Sequence, residues 1–197
     1  MSVYLVTGAG SGIGKTVADR LSVRGDEVVR VTRDVADLSR PDALEKVTNS
    51  LPPLKGFVHC AGFDTMAPLS LVSHSLAAEL YAVHVIFPMR FLGWMGRLSH
   101  HVDGAAAVLV SSSAAHEPVP GNAAYAAAKG AVEALGLTAK AELAPRGVRV
   151  EVIAPGAVDT RLARSSWMAA MGAAEREAAA KSLRSPESVA EEIISLL

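Results

Sequence analysis

Tyr125 and Lys129 stand four residues apart in Tyr125-Ala126-Ala127-Ala128-Lys129. On a helix that spacing sets a phenol and an ammonium on one face. A nearby cation favours phenolate and lowers a tyrosine pKa, which suits proton exchange with an alcohol or a carbonyl near neutral pH. Ser112 precedes the tyrosine, in the middle of Ser111-Ser112-Ser113. Its hydroxyl can orient a substrate oxygen and stabilise charge developing there. Ser111 and Ser113 read as backbone-capping neighbours.

A second group of residues could hold a phosphate. Thr7-Gly8-Ala9-Gly10-Ser11-Gly12-Ile13-Gly14 joins an apolar run to a segment of helical period. Glycine admits positive φ and lets a ligand approach the main chain. The helix that follows offers unpaired N–H groups and the positive end of its dipole to an anion. A tight turn without a ligand is the simpler alternative, but four glycines at one junction of an alternating β/α chain favour the phosphate site.

These groups need elements to position them. Apolar bursts at Val3–Val6, Val28–Thr32, Gly56–Cys60, Ala105–Val110 and Val148–Ile153 read as buried strands. Helical segments alternate with them: 13–24, 41–51, a long stretch over 71–99 that Pro88 should kink or break, 122–143, and 186–197 begun by Ser185 as N-cap. The alanine-rich run 169–180 reads as helix, and 159–169 as a mobile loop. The alternation predicts an α/β fold: a Rossmann-type, doubly wound parallel sheet in three α/β/α layers. Residues 1–197 are expected to form one domain.

Composition narrows the function. The net charge is −1, with no basic footprint for nucleic acid or an anionic membrane. Cys60 is the only cysteine, so neither an intramolecular disulfide nor a Cys-based zinc site can form, and no metal site is expected. No apolar run reaches the roughly 20 residues of a bilayer span. The opening residues lack a signal peptide's charged start and cleavage site. The expectation is a cytoplasmic protein.

The end of the second strand bears on cofactor choice. An acid there takes the adenosine ribose hydroxyls and selects NAD, whereas a nearby arginine accommodates the 2′-phosphate of NADP. Thr32 holds the acid's position and Arg33 follows it, which favours NADP(H), with NAD(H) still compatible. The alternative makes Arg33 a solvated surface residue and gives the ribose to Asp34.

Together these motifs resemble the short-chain dehydrogenase/reductase family. TGxxxGxG appears at Thr7–Gly14, Ser112 and the YxxxK pair have the right separation, His59-Cys60-Ala61-Gly62 stands where the family has Asn-Asn-Ala-Gly, and Pro155–Thr160 matches PGxxxT. The resemblance implies a hydride transfer between NADPH and a carbonyl or alcohol. In it Tyr125 donates a proton, Lys129 holds the nicotinamide ribose, and Ser112 orients the substrate oxygen. It also assigns Gly8, Ser11, Gly12, Ile13, Gly14, Arg33, Ala61 and Gly62 to the cofactor, with Asp37 and Leu38 at adenine. Pro155, Gly156, Val158 and Thr160 would contact the cofactor as well, Thr160 near the nicotinamide carboxamide.

The chain departs from the pattern at three places. His84 stands in Val83-His84-Val85-Ile86-Phe87-Pro88 where the family has a catalytic Asn that holds a proton-relay water. Either the imidazole supports that relay or it is a satisfied core histidine. Between Arg33 and Asp37 the family's usual helix is missing, and any strand around Val35 and Ala36 must be brief. The sequence given stops at Leu197, before the family's last strand, so a reduced sheet of five or six strands is expected. The substrate side, with Phe63, Met66, His116, Pro118, Leu162, Trp167, Met168 and Met171, suggests an apolar carbonyl substrate; core packing is the alternative for these residues. The family's habit implies a homodimer, or a homotetramer, through the two long helices, with Ala123, Ala127, Ala131 and Ala134 permitting close packing. Two rival functions stand beside the oxidoreductase: a catalytically impaired relative that only binds the cofactor, and an epimerase or dehydratase on the same fold.

Overall fold

Five parallel strands run in the order β2-β1-β3-β4-β5. They are β1 (Val3–Thr7), β2 (Glu27–Val31), β3 (Leu54–His59), β4 (His101–Val110) and β5 (Val148–Ile153). The computed structural model describes residues 1–169 and 171–197. Side chains alternate across the sheet, as the pleat requires. Leu5, Phe57 and Leu109 join one core cluster, while their neighbours Val6, Val58 and Val108 join the other. Both faces are therefore covered, which is why the strands read as continuous apolar runs.

Helices α1 (Gly12–Val23) and α8 (Pro186–Ser195) bury Val17, Leu21, Val189 and Ile193 on the second face. Ser185 caps α8 by accepting the Ser188 N–H, and Pro186 opens it. On the first face lie α2 (Ala43–Thr48), α3 (His74–Tyr81), α4 (Phe87–Met95) and α5 (Ala123–Leu143). The family-like three-layer expectation holds, with the sheet at the lower of the two expected strand counts.

The long helical stretch is shorter than 71–99 and does not break at Pro88 itself. It runs His74–Met95, with one π turn over Ala82–Ile86 between α3 and α4. Pro88 has no N–H and crowds the carbonyl four residues back, which is that of His84. The Phe87 N–H instead reaches the Ala82 carbonyl, five residues back. The irregularity thus falls before the proline and at His84. By length and composition alone His74–Met95 could cross a membrane, contrary to the sequence expectation; in this fold its Leu80, Phe87, Phe91 and Met95 are buried.

Two further expectations change. The segment 159–169 is not a plain loop: it carries α6 (Arg161–Ser165), capped by the Thr160 hydroxyl accepting the Ala163 N–H at 3.2 Å. The alanine-rich helix is α7 (Ala173–Ala180), shorter than 169–180; Ala170 lies outside the described residues.

The order β2-β1-β3 reverses direction at β1, so the carboxyl ends of β1 and β3 flank a crevice, the usual ligand position in open α/β sheets. Across the sheet, α5 sits close on β5 because Gly136 has no side chain. A Cβ there would come within 2.0 Å of Val152 Cγ2. Val152 is β-branched and cannot easily yield. Overpacking costs about 1–3 kcal/mol, whereas alanine regains up to about 1 kcal/mol in a helix. Gly136→Ala should lower stability by about 1–2 kcal/mol in urea denaturation; an unchanged midpoint would show the interface to be slack.

Candidate active site

Thr7, at the end of β1, and His59, at the end of β3, are both buried. His59 Nε2 lies 3.1 Å from the Val83 carbonyl, which can only accept, so Nε2 carries the proton. Nδ1 then accepts from the Thr7 hydroxyl at 2.9 Å. Thr7 Oγ1 in turn accepts the Ala61 N–H at 3.2 Å. Burial, aided by the Lys129 charge, lowers the His59 pKa to about 3, so the ring is neutral. This chain ties two strand ends and the π turn to the loop at Ala61 and Gly62. Sequence reasoning noted His59 only as a motif variant; its spacing from Thr7 gave no sign of the contact.

The same crevice opens into two cavities. The smaller, about 170 Å³, is lined by Arg33, Asp37 and Leu38, expected at the adenosine end, together with Gly8 of the phosphate loop and Ala61. Gly8 has φ +67°, and a Cβ on it would lie 2.8 Å from the Ala61 nitrogen, so only glycine fits. Arg33 is 77% exposed at the rim, 3.8 Å from Asp37 and 3.6 Å from Glu79. Asp37 also accepts from the Ser39 N–H and hydroxyl, and these bonds hold its carboxyl below the usual range. Gly62 borders both cavities.

The larger cavity, about 450 Å³, is lined by Ser112, Tyr125, Lys129 and His84. Ile13 and the segment Pro155, Gly156, Val158 and Thr160 complete the side expected to face the cofactor. Ser11, Gly12 and Gly14 line neither cavity. Ser11 precedes α1 without a side-chain cap, which leaves the N–H groups of the first turn available to an anion. Gly14 is buried, and a Cβ there would meet the Gly8 carbonyl oxygen at 2.5 Å. Its part is close packing of helix on loop. Shape, backbone donors and the Arg33 guanidinium at the rim, with Asp37 and Glu79 beside it, thus fit a dinucleotide laid across the β1–β3 crevice.

The electrostatics correct one expectation. Lys129 does not lower the Tyr125 pKa. Burial pushes the phenol up to about 12; the Ser112 hydroxyl opposes this and the Asp64 charge adds to it. The geometry explains why. The Lys129 ammonium donates to the Val110 carbonyl at 2.7 Å and lies 5.5 Å from the tyrosine ring centroid. Lys129 itself falls from 10.5 to about 8, burial being the main cause. The Cys60 thiol is pushed up to about 12 by burial, so it stays protonated.

His84 is buried and edge-on to Tyr125, with 5.5 Å between ring centroids. Its Nε2 lies 2.9 Å from the Phe63 carbonyl and 3.2 Å from the Phe63 N–H. One nitrogen cannot serve both at once; the shorter contact places the proton on Nε2 and leaves Nδ1 an unpartnered acceptor. Burial drives its pKa well below 6.5, so the ring is neutral. The ring fits because Gly62 has no side chain: a Cβ there would lie 2.2 Å from His84 Cε1.

Several neighbours differ from expectation. Met66, Leu162, Trp167 and Met171 do line the larger cavity. Phe63 borders the smaller one, Met168 is buried, and His116 and Pro118 face neither. His116 pairs with Glu133 at 2.9 Å, out at the surface. The Ser111 hydroxyl donates its one proton to Glu133 at 2.9 Å and lies 3.1 Å from the Lys129 carbonyl. Asp64, Asn122 and Ser166 also line the cavity. Sequence reasoning missed all three; position two residues beyond Gly62 was the only available signal for Asp64.

A family model described as enoyl-(acyl carrier protein) reductase matches residues 31–197. The chain belongs to the short-chain dehydrogenase/reductase family. It is 30% identical over 178 residues to 2,3-dihydro-2,3-dihydroxybenzoate dehydrogenase of Escherichia coli, covering 83% of this chain and 72% of that protein. It is 31% identical over 180 residues to carbonyl reductase [NADPH] 2 of Sus scrofa, covering 82% and 73%. A short-chain dehydrogenase family protein from Francisella tularensis superimposes with a TM-score of 0.89 at 22% identity, covering 100% of this chain and 91% of that one. The last comparison shows the fold. As a family member, the chain is an oxidoreductase built to bind a nicotinamide dinucleotide.

The buried Lys129 makes stability depend on pH. Its pKa is about 8 folded and 10.5 in its ordinary state, so between these values the unfolded chain binds more protons. The penalty is therefore full below pH 8, shrinks as pH rises to 10.5, and vanishes above. It amounts to at most about 3 kcal/mol, against about 1 kcal/mol for the hydrogen bond to Val110. Lys129→Met should be about 1–2 kcal/mol more stable than wild type at pH 7, and lose that advantage by pH 10.5. Denaturation curves at pH 7, 9 and 10.5 test this; a gap that stays constant with pH would disprove the buried charge.

Proposed function

We propose that this protein reduces a carbonyl, or oxidises the matching alcohol, with NADP(H) as preferred cofactor and NAD(H) as a weaker one. The observation that carries this is the meeting of Ser112, Tyr125 and Lys129 in one cavity that adjoins the Arg33-rimmed cavity through Gly62. The bound nicotinamide supplies the hydride. Ser112 would position the substrate oxygen, and Tyr125 would deliver the proton that balances the hydride on carbon. A phenol with a pKa of about 12 is fully protonated at neutral pH, the state that reduction needs. Lys129 would turn from Val110 to the nicotinamide ribose. Thr32 in place of an acid and the exposed Arg33 favour the 2′-phosphate, in line with the name of the porcine relative.

Met66, Leu162, Trp167 and Met171 support an apolar body for the substrate. NADPH and NADH titrations of wild type and Arg33→Ala test the cofactor assignment. NADPH should bind more tightly than NADH, and the variant should lose about tenfold in NADPH affinity, one charge-assisted contact. In a carbonyl screen, Tyr125→Phe should lower kcat by about 10²–10⁴. Binding of neither nucleotide would reject this function, and binding without any turnover would favour the cofactor-binding relative.

Two copies would associate through α4 and α5. Met89, Gly93, Ala131, Ala134 and Leu135 line a shallow groove there, and Leu137 is 73% exposed nearby. Light scattering at micromolar concentration should give a dimer mass or its double; a monomer mass would refute the pairing. Both the work of the enzyme and its pairing would suit a cytoplasmic protein, an expectation that fractionation of cells checks.

A further inference from the structure

Among the described residues, four buried side-chain polar atoms have no hydrogen-bond partner: Asp64 Oδ1, His84 Nδ1, Asn122 Oδ1 and Ser166 Oγ. All four residues stand in the wall of the same 450 Å³ cavity. Native proteins leave few such atoms, and each calls for a reason. Their gathering at one cavity points to a ligand with groups to satisfy them. His84, Asn122 and Ser166 are each at least nine-tenths buried, so bulk water does not serve them.

The chemistry of the four is lopsided. A carboxylate oxygen and an amide oxygen only accept hydrogen bonds, His84 Nδ1 accepts in the tautomer set by Phe63, and only the Ser166 hydroxyl can also donate. The cavity therefore asks for donors. Asp64 is the most demanding of them. Its Oδ1 has no hydrogen-bond partner, while hydrogen bonding to the carboxyl from Ser166 and the Thr65 backbone lowers its pKa in part. Burial outweighs them and raises it. An apolar ketone would leave this carboxyl unpaired at a cost in binding.

We infer that the substrate carries, beside its reacting carbonyl, a hydrogen-bond donor that Asp64 receives, either a hydroxyl or an ammonium. Asp64 is thus a specificity-determining residue, and the substrate has an apolar body with a polar, donor-bearing end. This rests on the carbonyl-reducing function proposed above and narrows its substrate class. Asn122 and Ser166, in the wall of the same cavity, would take further donors.

Three size-matched ketones test it: 4-methylcyclohexanone, 4-hydroxycyclohexanone and 4-aminocyclohexanone. Binding is read by calorimetry on the protein with and without NADP, and kcat/KM is read with NADPH. Wild type should favour one donor-bearing ketone over the methyl compound by about tenfold or more. Asp64→Leu should erase that ratio. Asp64→Asn keeps an acceptor but loses the charge: it should retain a hydroxyl preference and lose an ammonium preference, which tells the two donors apart. Thermal melting and NADPH titration of each variant check that it is folded, and the Asn variant stands in if the Leu variant is not. Equal binding of all three ketones by wild type, or a ratio unmoved in both variants, overturns the inference. Failure of NADPH to bind would instead overturn the cofactor assignment, while the ligand ratios measured without cofactor still report on Asp64.

Discussion

The neutral His59 ring, clamped between the Thr7 hydroxyl and the Val83 carbonyl, is the contact on which the site depends. It joins the ends of β1 and β3 to the π turn of the long helix. Thr7 Oγ1 and both His59 ring nitrogens are paired, and each pair passes its geometry on. Thr7 holds the Ala61 N–H, so the backbone at Ala61 and Gly62 is fixed beside both cavities. The turn at Val83 places His84 one residue on, against Phe63 and beside Tyr125. Burial keeps His59 neutral, so its Nδ1 stays an acceptor for the Thr7 hydroxyl.

The site is dry enough that burial, more than charge pairing, sets its protonation states. It lowers Lys129 and His84 and raises Tyr125, Cys60 and Asp64. All five move toward their neutral forms, as desolvation requires. The tyrosine is kept as an acid and the thiol is silenced.

The π turn shows how one residue can be accommodated at another's place. Pro88 cannot donate to the carbonyl of His84, and the helix responds by widening over Ala82–Ile86. The space that admits the imidazole comes from Gly62, whose missing side chain leaves room for Cε1. Histidine therefore sits at the asparagine position with its ring bonded to the Phe63 backbone, and neither simple alternative, relay or core residue, describes it alone. It is packed as a core residue, borders the larger cavity, and keeps its buried Nδ1 without a partner.

The sequence by itself determined the layers, the five strands and the cluster of Ser112, Tyr125 and Lys129, because these follow from local rules: strand and helix periods, glycine at a strand-to-helix turn, and i to i+4 spacing on one helix. It also placed Gly8 and Arg33 just past the ends of neighbouring strands, whereas Asp37 and Leu38 came only from the family resemblance. Tertiary structure alone decided what depends on contacts distant along the chain. The Thr7–His59–Val83 links, the turning of Lys129 toward Val110, the packing duty of Gly14 and the gathering of Asp64, Asn122 and Ser166 around one cavity are of this kind. The sign of the Tyr125 shift belongs here too: spacing tells which residues share a helix face, but a pKa follows from burial and from where an ammonium points, and both are set only when the sheet and helices close around it.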